Sequence, residues 1–460
     1  MLNIYQIIEK VMKTRKLKAI VLAGGNSSRM KSDIPKPLID LWGQPIIGYV
    51  LDVLKELGIQ EIATVINALP EAQKIKAYVE ERGSRTFVQK ESLGTAHAVL
   101  SAEPFLRDKD ADFLILYADA PLVQKSDLYN LINAGDRSCK AWCGAFLAMN
   151  VKAGSHSFGI LNLTPGREII SITEASERAE KKNSLGDDIC NSGFCLLSGK
   201  HARNILDKIK NDNLKKEYFL TDYPVVAREF GLSCTVAMAS NFKSCLGVNT
   251  AEEFAHACDI LQEQRRSYFM AHGVRLIAPQ TVFFSYDTQI APGVIVEPNV
   301  IFGTKVTIEK SACIRGFSYI EGACVGEKAT IGPYARLRPG TSIGNQAKVG
   351  NFVEIKKSYL QQGVKVSHLS YIGDTTIEKN ANIGAGTITC NYDGINKHKT
   401  HIGEDAFIGS NTALVAPVKI GKNSLIGAGS TITKSVPSNA LSLTRSSQKF
   451  IDGFRKKGSK

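Results

Sequence analysis

The chain has 460 residues, 43% hydrophobic and 22% charged, which is the balance of a soluble globular protein and too long for one ordinary core. No apolar run reaches membrane-spanning length, and the short apolar patch Ile4–Ile8, followed by charges, is not a convincing signal peptide. The net charge of +13 suits a protein that handles anions such as nucleotides, sugar phosphates or coenzyme A; no basic stretch carries a nucleic-acid module, so neither a nucleic-acid nor a membrane partner is expected.

Basic residues gather at both ends: Lys10, Lys13, Arg15, Lys16 and Lys18, then Arg455, Lys456, Lys457 and Lys460. They read as solvated tails. The ten cysteines form no CxxC pair. The spacings of Cys139 with Cys143 and of Cys190 with Cys195 do not suit a zinc knuckle. Most of the others lie in apolar stretches, where cysteine behaves as a small hydrophobe, so a reducing, cytoplasmic location is expected.

In chain order, residues 1–16 read as a short helical extension. Lys18–Ala23 reads as a buried parallel strand running into the Gly-rich turn Gly24–Arg29. Helices at Ile46–Leu57 and Ala96–Ala102 alternate with strands at Glu61–Asn67 and Asp112–Tyr117, the last ending near Asp119. That alternation predicts an α/β, Rossmann-like, doubly wound sheet. Thr250 with Glu253 is a capping box. It opens a polar helix over 251–271 with Phe254, Cys258 and Leu261 on one side, read as an inter-domain connector.

From about Thr281 the hydrophobic period becomes six. Ile290, Val296, Phe302, Ile308, Ile314 and Ile320 form one run, and Val325, Ile331, Leu337, Ile343, Val349 and Ile355 a second after a slip of one. After two interruptions, the second holding Asn391-Tyr-Asp-Gly, Ile402, Ile408, Leu414, Ile420, Ile426 and Ile432 complete the pattern. Neither a helix nor an ordinary strand gives this period. Three short strands per triangular turn do, with one aliphatic residue inward on each, which predicts a C-terminal left-handed parallel β-helix of hexapeptide repeats. The expected domains are 1–16, 17–249, 250–272 (connector), 273–445 (β-helix) and 446–460 (basic tail).

The Gly24–Arg29 turn offers backbone N–H groups to phosphate oxygens but is no Walker A loop, since no GK[ST] follows. Lys36 follows between Pro35 and Pro37, which stiffen the backbone around it. Taken together, Leu22–Met30, Lys36, Gln89, Leu93–His97, Tyr117–Asp119, Phe158–Gly159, Glu174, Asn191, Glu217–Asp222 and Gly247–Asn249 resemble sugar-1-phosphate nucleotidyltransferases. In the β-helix, Arg336–Gly340, Asn351–Lys357, Val366–Tyr371, Ile383–Gly394 and Lys397 supply guanidinium, ammonium and imidazole groups. Over nearly the whole chain the pattern resembles the bifunctional N-acetylglucosamine-1-phosphate uridyltransferase / glucosamine-1-phosphate acetyltransferase family. Ser27, Ala118 and Ile160 depart from it.

The resemblance implies two reactions. In the first domain, UTP and the sugar would meet Ala23, Gly24, Gly25, Lys36, Gln89, Gly94, Thr95, Gly159, Glu174, Asn191 and Asn249. Asp119 and Asn249 would share the cofactor Mg²⁺, with Lys36 beside the α-phosphate. In the β-helix, His368 would be the general base for acetyl transfer from acetyl-CoA, with Asn391 positioning the reacting groups. Arg338, Lys356, Tyr371, Asn382 and Lys397 would bind glucosamine-1-phosphate, and Ala385, Asn391, Tyr392, Ser410, Ala428 and Arg445 acetyl-CoA. A homotrimer is implied. Two alternatives stand beside this reading: a sugar nucleotidyltransferase whose β-helix only trimerises or binds an effector, and a non-enzymatic protein, either a trimeric scaffold or a nucleic-acid binder using the +13 charge.

Overall fold

The computed structural model describes residues 15–25, 30–135, 139–152, 156, 158–177 and 187–454. Most of the expected N-terminal extension, the end of the Gly-rich turn with Ser27 and Arg29, and the basic residues Arg455–Lys460 lie outside that set. The chain divides into two compact units, residues 1–261 and 262–460.

Unit 1 is built on a sheet of nine strands: β1 (Leu17–Ala23), β2 (Glu61–Asn67), β3 (Arg85–Gln89), β4 (Asp112–Tyr117), β5 (Trp142–Lys152), β6 (Ile160–Leu163), β7 (Ile169–Thr173), β8 (Asp187–Ser198) and β9 (Ser233–Met238). The main path runs β3-β2-β1-β4-β8-β5-β9. β1 pairs in parallel with β2 on one side and β4 on the other, so the strand order reverses between β1 and β4. A crevice opens at the carboxyl ends of strands flanking such a switch, and Gly24, Gly25 and Asp119 emerge there. β1 reads as a continuous apolar run because both faces of a central parallel strand are covered; Ala19, Ile20 and Val21 are fully buried.

The sheet departs from all-parallel winding at β8, which runs antiparallel to both β4 and β5. The hairpin β6–β7 joins β8 where Ile160 pairs with Cys190. Gly159 and Glu174, which flank that hairpin, thereby come close to Asn191 on β8.

The tail reading fails for Arg15 and Lys18. Arg15 donates from Nε to Asp112 Oδ2 at 2.5 Å, with the Arg15 side chain 7% exposed and that of Asp112 0%. Its guanidinium also lies over Trp142, 5.0 Å from the ring centre. Lys18 reaches Glu61 at 2.9 Å and Asp108 at 3.0 Å. A buried charge persists only when paired, and a count of basic residues does not reveal the partners.

Unit 2 is a triangular prism with sheets of ten, nine and eight parallel strands as its three sides. The six-residue runs point inward as expected: Val296, Ile314, Leu337, Ile355, Ile408 and Ile426 are at most 1% exposed. Full burial of each such side chain is worth roughly 1.5–3 kcal/mol. The corners adopt left-handed backbone at the same period, with φ of 57–60° at Asn299, Lys305, Ser311 and Phe317. Two inward positions fall in the interruptions. Leu360 is fully buried after a five-residue step, and Thr389 takes an aliphatic slot with 0% exposure. Its hydroxyl accepts from Gly373 N at 2.8 Å, so the polar group is satisfied.

The helix Ala251–Ala271 is divided between the units. In its first half, Phe254, Ala257, Cys258 and Leu261 pack with Leu41, Ile46 and Val248. In its second half, Phe269 joins the prism core. Gln262 pairs with both backbone groups of Phe284, donating to its carbonyl at 2.7 Å and accepting from its N–H at 2.9 Å. The half of the helix from Gln262 onward thus pairs with the first strands of the prism, where unpaired strand edges would otherwise meet water.

Candidate active sites

The crevice of unit 1 holds two cavities. One, of about 350 Å³, is lined by Ala23, Gly24, Gly25, Lys36, Gln89, Gly94, Thr95, Tyr117, Asp119 and Glu217, among others. The second, of about 380 Å³, is lined by Phe158, Gly159, Glu174, Asn191 and Gly193 and shares Thr95, Tyr117, Asp119 and Glu217 with the first. Asp119 therefore stands in both walls. Gly94 is required by close approach, and Gly24 sits in tight contact. A Cβ on Gly24 would lie 3.0 Å from Gln89 Oε1, and one on Gly94, whose φ is 109°, would lie 2.5 Å from Tyr218 O.

Gln89 is 5% exposed and donates from Nε2 to Gly94 O at 3.1 Å, which fixes its amide against the turn it lines. Lys36 Nζ lies 2.5 Å from Asp119 Oδ2 and 3.0 Å from Asn249 Oδ1. Asp119 comes from the end of β4, and Asn249 from the turn before the Ala251–Ala271 helix, so two oxygens converge on one cation. Glu253, the end of the capping box, holds the backbone N–H of Asn249 at 2.6 Å. In the second cavity, Thr221 Oγ1 donates to Glu174 Oε1 at 2.8 Å, and Asn191 N donates to Gly159 O at 2.8 Å.

Asp222 closes the quoted Glu217–Asp222 motif, but the sequence assigned it no role. Burial first, then the carboxylates of Glu177, Glu174 and Asp212, push it up to about 6. A folded value above the unfolded one means the carboxyl favours folding at low pH, and that contribution is lost as pH rises through about 6. Asp222→Asn should therefore melt above the parent at pH 7, with the gap closing towards pH 4, by calorimetry of the full chain. A pH-independent gap would refute the assignment.

In unit 2, backbone hydrogen bonds stack Asn351, His368, Ala385 and Ser410 on successive turns at one corner. Leu369, Asn411 and Gly429 donate to the carbonyls of Asn351, Ala385 and Ser410 at 3.0, 2.7 and 2.8 Å, and Gly386 donates to His368 O at 3.4 Å. Ala428 follows Gly427 at the same corner. Arg445 Nη2 lies 3.5 Å from where a Cβ on Gly427 would stand. His368 is exposed, and its Nδ1 meets Asn351 Oδ1 at 2.7 Å. The amide oxygen can only accept, so it selects the Nδ1–H tautomer and leaves Nε2 with a free lone pair.

The neighbouring nine-stranded face carries Arg338, Lys356 and Tyr371. Arg338 Nη1 bonds Glu354 Oε1 at 2.7 Å. The Lys397 ammonium beside Lys356 depresses the Lys356 pKa, with Arg338 adding to the effect. Lys397 arrives on the insertion 391–399, closed by the bridge between Tyr392 and Lys397. Asn391 is 6% exposed and donates to Asp374 Oδ2 at 2.5 Å. Gly373 lies beneath both functional groups, because a Cβ there would meet Tyr371 Oη at 2.6 Å and Asn391 Nδ2 at 2.7 Å. Asn351, Glu354, Asp374 and Gly373 were not singled out from sequence, although the first two lie inside a quoted motif. Asn382 does not join this group: it sits on the ten-stranded face, across the His368 corner.

Residues 19–152 match the MobA-like NTP transferase domain, and residues 399–434 match the bacterial transferase hexapeptide (six repeats). The chain is 43% identical to the bifunctional protein GlmU of Bartonella bacilliformis over 94% of both chains. It is also 43% identical to the GlmU of Azorhizobium caulinodans, over 96% of this chain and 97% of the relative. With the GlmU of Zymomonas mobilis it shares 41% identity over 94% of both. Identity at this level along nearly the full length covers both sites together, and the chain belongs to the family of bifunctional GlmU proteins.

Proposed function

We propose that the chain makes UDP-N-acetylglucosamine in two steps: acetyl transfer from acetyl-CoA to glucosamine-1-phosphate in the β-helix, then uridyl transfer from UTP in unit 1, releasing pyrophosphate. The observation that carries the uridyl step is the meeting of the two cavities at Asp119. A nucleotide in the first and a sugar phosphate in the second would bring attacking oxygen and α-phosphorus together there, and such transfers depend on positioning and charge neutralisation. Ala23, Gly24, Gly25, Gln89, Gly94 and Thr95 hold the nucleotide; Gly159, Glu174 and Asn191 hold the acetylamino sugar.

The oxygens of Asp119 and Asn249 already converge on one cation, and this donor set suits Mg²⁺, which takes few protein oxygens and completes its shell with phosphate and water. Bound there, Mg²⁺ would neutralise charge on the phosphates, and Lys36 would turn to the α-phosphate. Among the described residues no cluster of three or more His, Cys, Asp or Glu side chains could hold a metal ion, in keeping with a site completed by substrate.

In unit 2, His368 Nε2 takes the proton from the sugar 2-amine as that amine attacks the thioester. Arg338, Lys356, Tyr371 and Lys397 hold the phosphate sugar, Asn391 orients the reacting groups, and coenzyme A lies along the corner column Ala385, Ser410, Ala428 with Tyr392 and Arg445. Asn382, on a different face, supports a site completed by a second copy within a homotrimer. Among the described residues no helix is long and apolar enough to cross a membrane, and all ten cysteines are free thiols; with acetyl-CoA and UTP as substrates, this supports a cytoplasmic enzyme.

The test is the full chain with Mg²⁺, UTP and glucosamine-1-phosphate. Pyrophosphate should stay near background until acetyl-CoA is added, and then match the free CoA formed. Equal pyrophosphate release without acetyl-CoA would sink the proposed order.

A further inference from the structure

Beside the segments that wall the second cavity of unit 1 lies a half-buried polar pair that lines neither cavity. The His156 side chain is only 8% exposed, and its Nε2 lies 3.0 Å from Asp188 Oδ2. Its ring nitrogens lie 3.6 and 3.8 Å from Cys190 Sγ, and its ring centre 6.0 Å from that of Phe158. His156 stands two residues before Phe158 and three before Gly159, while Asp188 stands three before Asn191 on β8. Phe158, Gly159 and Asn191 all face the cavity. The backbone bond from Asn191 N to Gly159 O ties the same two segments closer to the cavity. The contact between His156 and Asp188 is thus a second tie between those two segments.

We propose that His156 and Asp188 are positioning residues that set the wall of the sugar cavity, and so govern affinity for the sugar phosphate without touching it. This rests on the reading that Gly159, Glu174 and Asn191 take the sugar. A pair that touches no substrate leaves the nucleotide cavity and the chemical step alone, whereas a misplaced wall raises the KM of one substrate.

The test is steady-state uridyl transfer by the full chain, varying N-acetylglucosamine-1-phosphate and UTP separately. His156→Ala should raise the sugar-phosphate KM about tenfold, with kcat and the UTP KM within about twofold of the parent. His156→Gln, whose amide can still donate to Asp188, should restore most of the loss. Asp188→Ala should match His156→Ala, and the double variant should be no worse than either. An unchanged kcat and UTP KM in every variant would show that unit 1 is intact. An unaltered sugar KM in His156→Ala, equal rises in both KM values, or additive losses would overturn the proposal. Glu174→Ala separates the two ideas: if it raises the sugar KM while His156→Ala does not, only the positioning role fails, and if it too has no effect, the sugar cavity itself is misassigned.

Discussion

His368→Ala should lower acetyl transfer by about two to four orders of magnitude, the usual worth of a positioned general base, while leaving uridyl transfer at the parent rate. An amine attacking a thioester must lose a proton, and among the residues stacked at this corner only His368 carries a ring nitrogen whose lone pair can accept it. Its tautomer is set by Asn351, so Asn351→Ala should cost roughly tenfold or more while the imidazole stays in place. Free CoA measured with a thiol reagent gives one rate and pyrophosphate the other. Retention of acetyl transfer in His368→Ala would remove the imidazole from the mechanism. The same variant tests the composite site. Mixed with Asn382→Ala chains in one oligomer, it should regain activity, since some interfaces then pair an intact His368 with an intact Asn382. No recovery would place the whole site within one chain.

The β-helix was legible because its physics is local and repetitive. An inward aliphatic residue every sixth position leaves a mark that no other fold imitates. The pattern became unreadable where the structure breaks the rule for a reason. Thr389 is polar at a core position because its hydroxyl accepts from Gly373 N beside Tyr371, and Leu360 escapes notice because a corner was shortened by one residue. In unit 1 the first strands and the Gly-rich turn could be read from apolar runs and punctuation. β8 could not, because nothing in the apolar run Phe194–Leu197 distinguishes antiparallel from parallel pairing. The same limit hid three long-range polar pairings. Arg15, Lys18 and His156 find partners 97, 90 and 32 residues away, and only the folded sheet brings those together. The cationic group in unit 2 was legible as a list of residues. That Lys397 sits close enough to depress Lys356 depends on the turn of the 391–399 insertion, which is held by Asp393: its carboxylate accepts from the Asn396 N–H, meets His398 and accepts from the Ile395 N–H, which together lower it to about 2.

Asp119→Asn should abolish most uridyl transfer, by about two to three orders of magnitude, with acetyl transfer unchanged. The variant keeps an oxygen in place and removes a charge, so it isolates electrostatics from shape. In the folded chain Asp119 faces the Lys36 ammonium at 2.5 Å, and the Asn249 amide oxygen lies 3.0 Å from that cation. An uncharged amide at 119 would leave Asn249 as a neutral partner only, too weak to hold a divalent ion against water. The magnesium concentration giving half-maximal rate should therefore rise well above that of the parent. Lys36→Ala should behave differently. It removes the cation proposed for the α-phosphate but leaves both oxygens, so kcat should fall while the magnesium dependence stays near the parent value. Equal magnesium curves for Asp119→Asn and the parent would mean that this carboxylate serves only to hold Lys36. The two variants, read side by side, thus separate the ion-binding role of Asp119 from its pairing with the lysine.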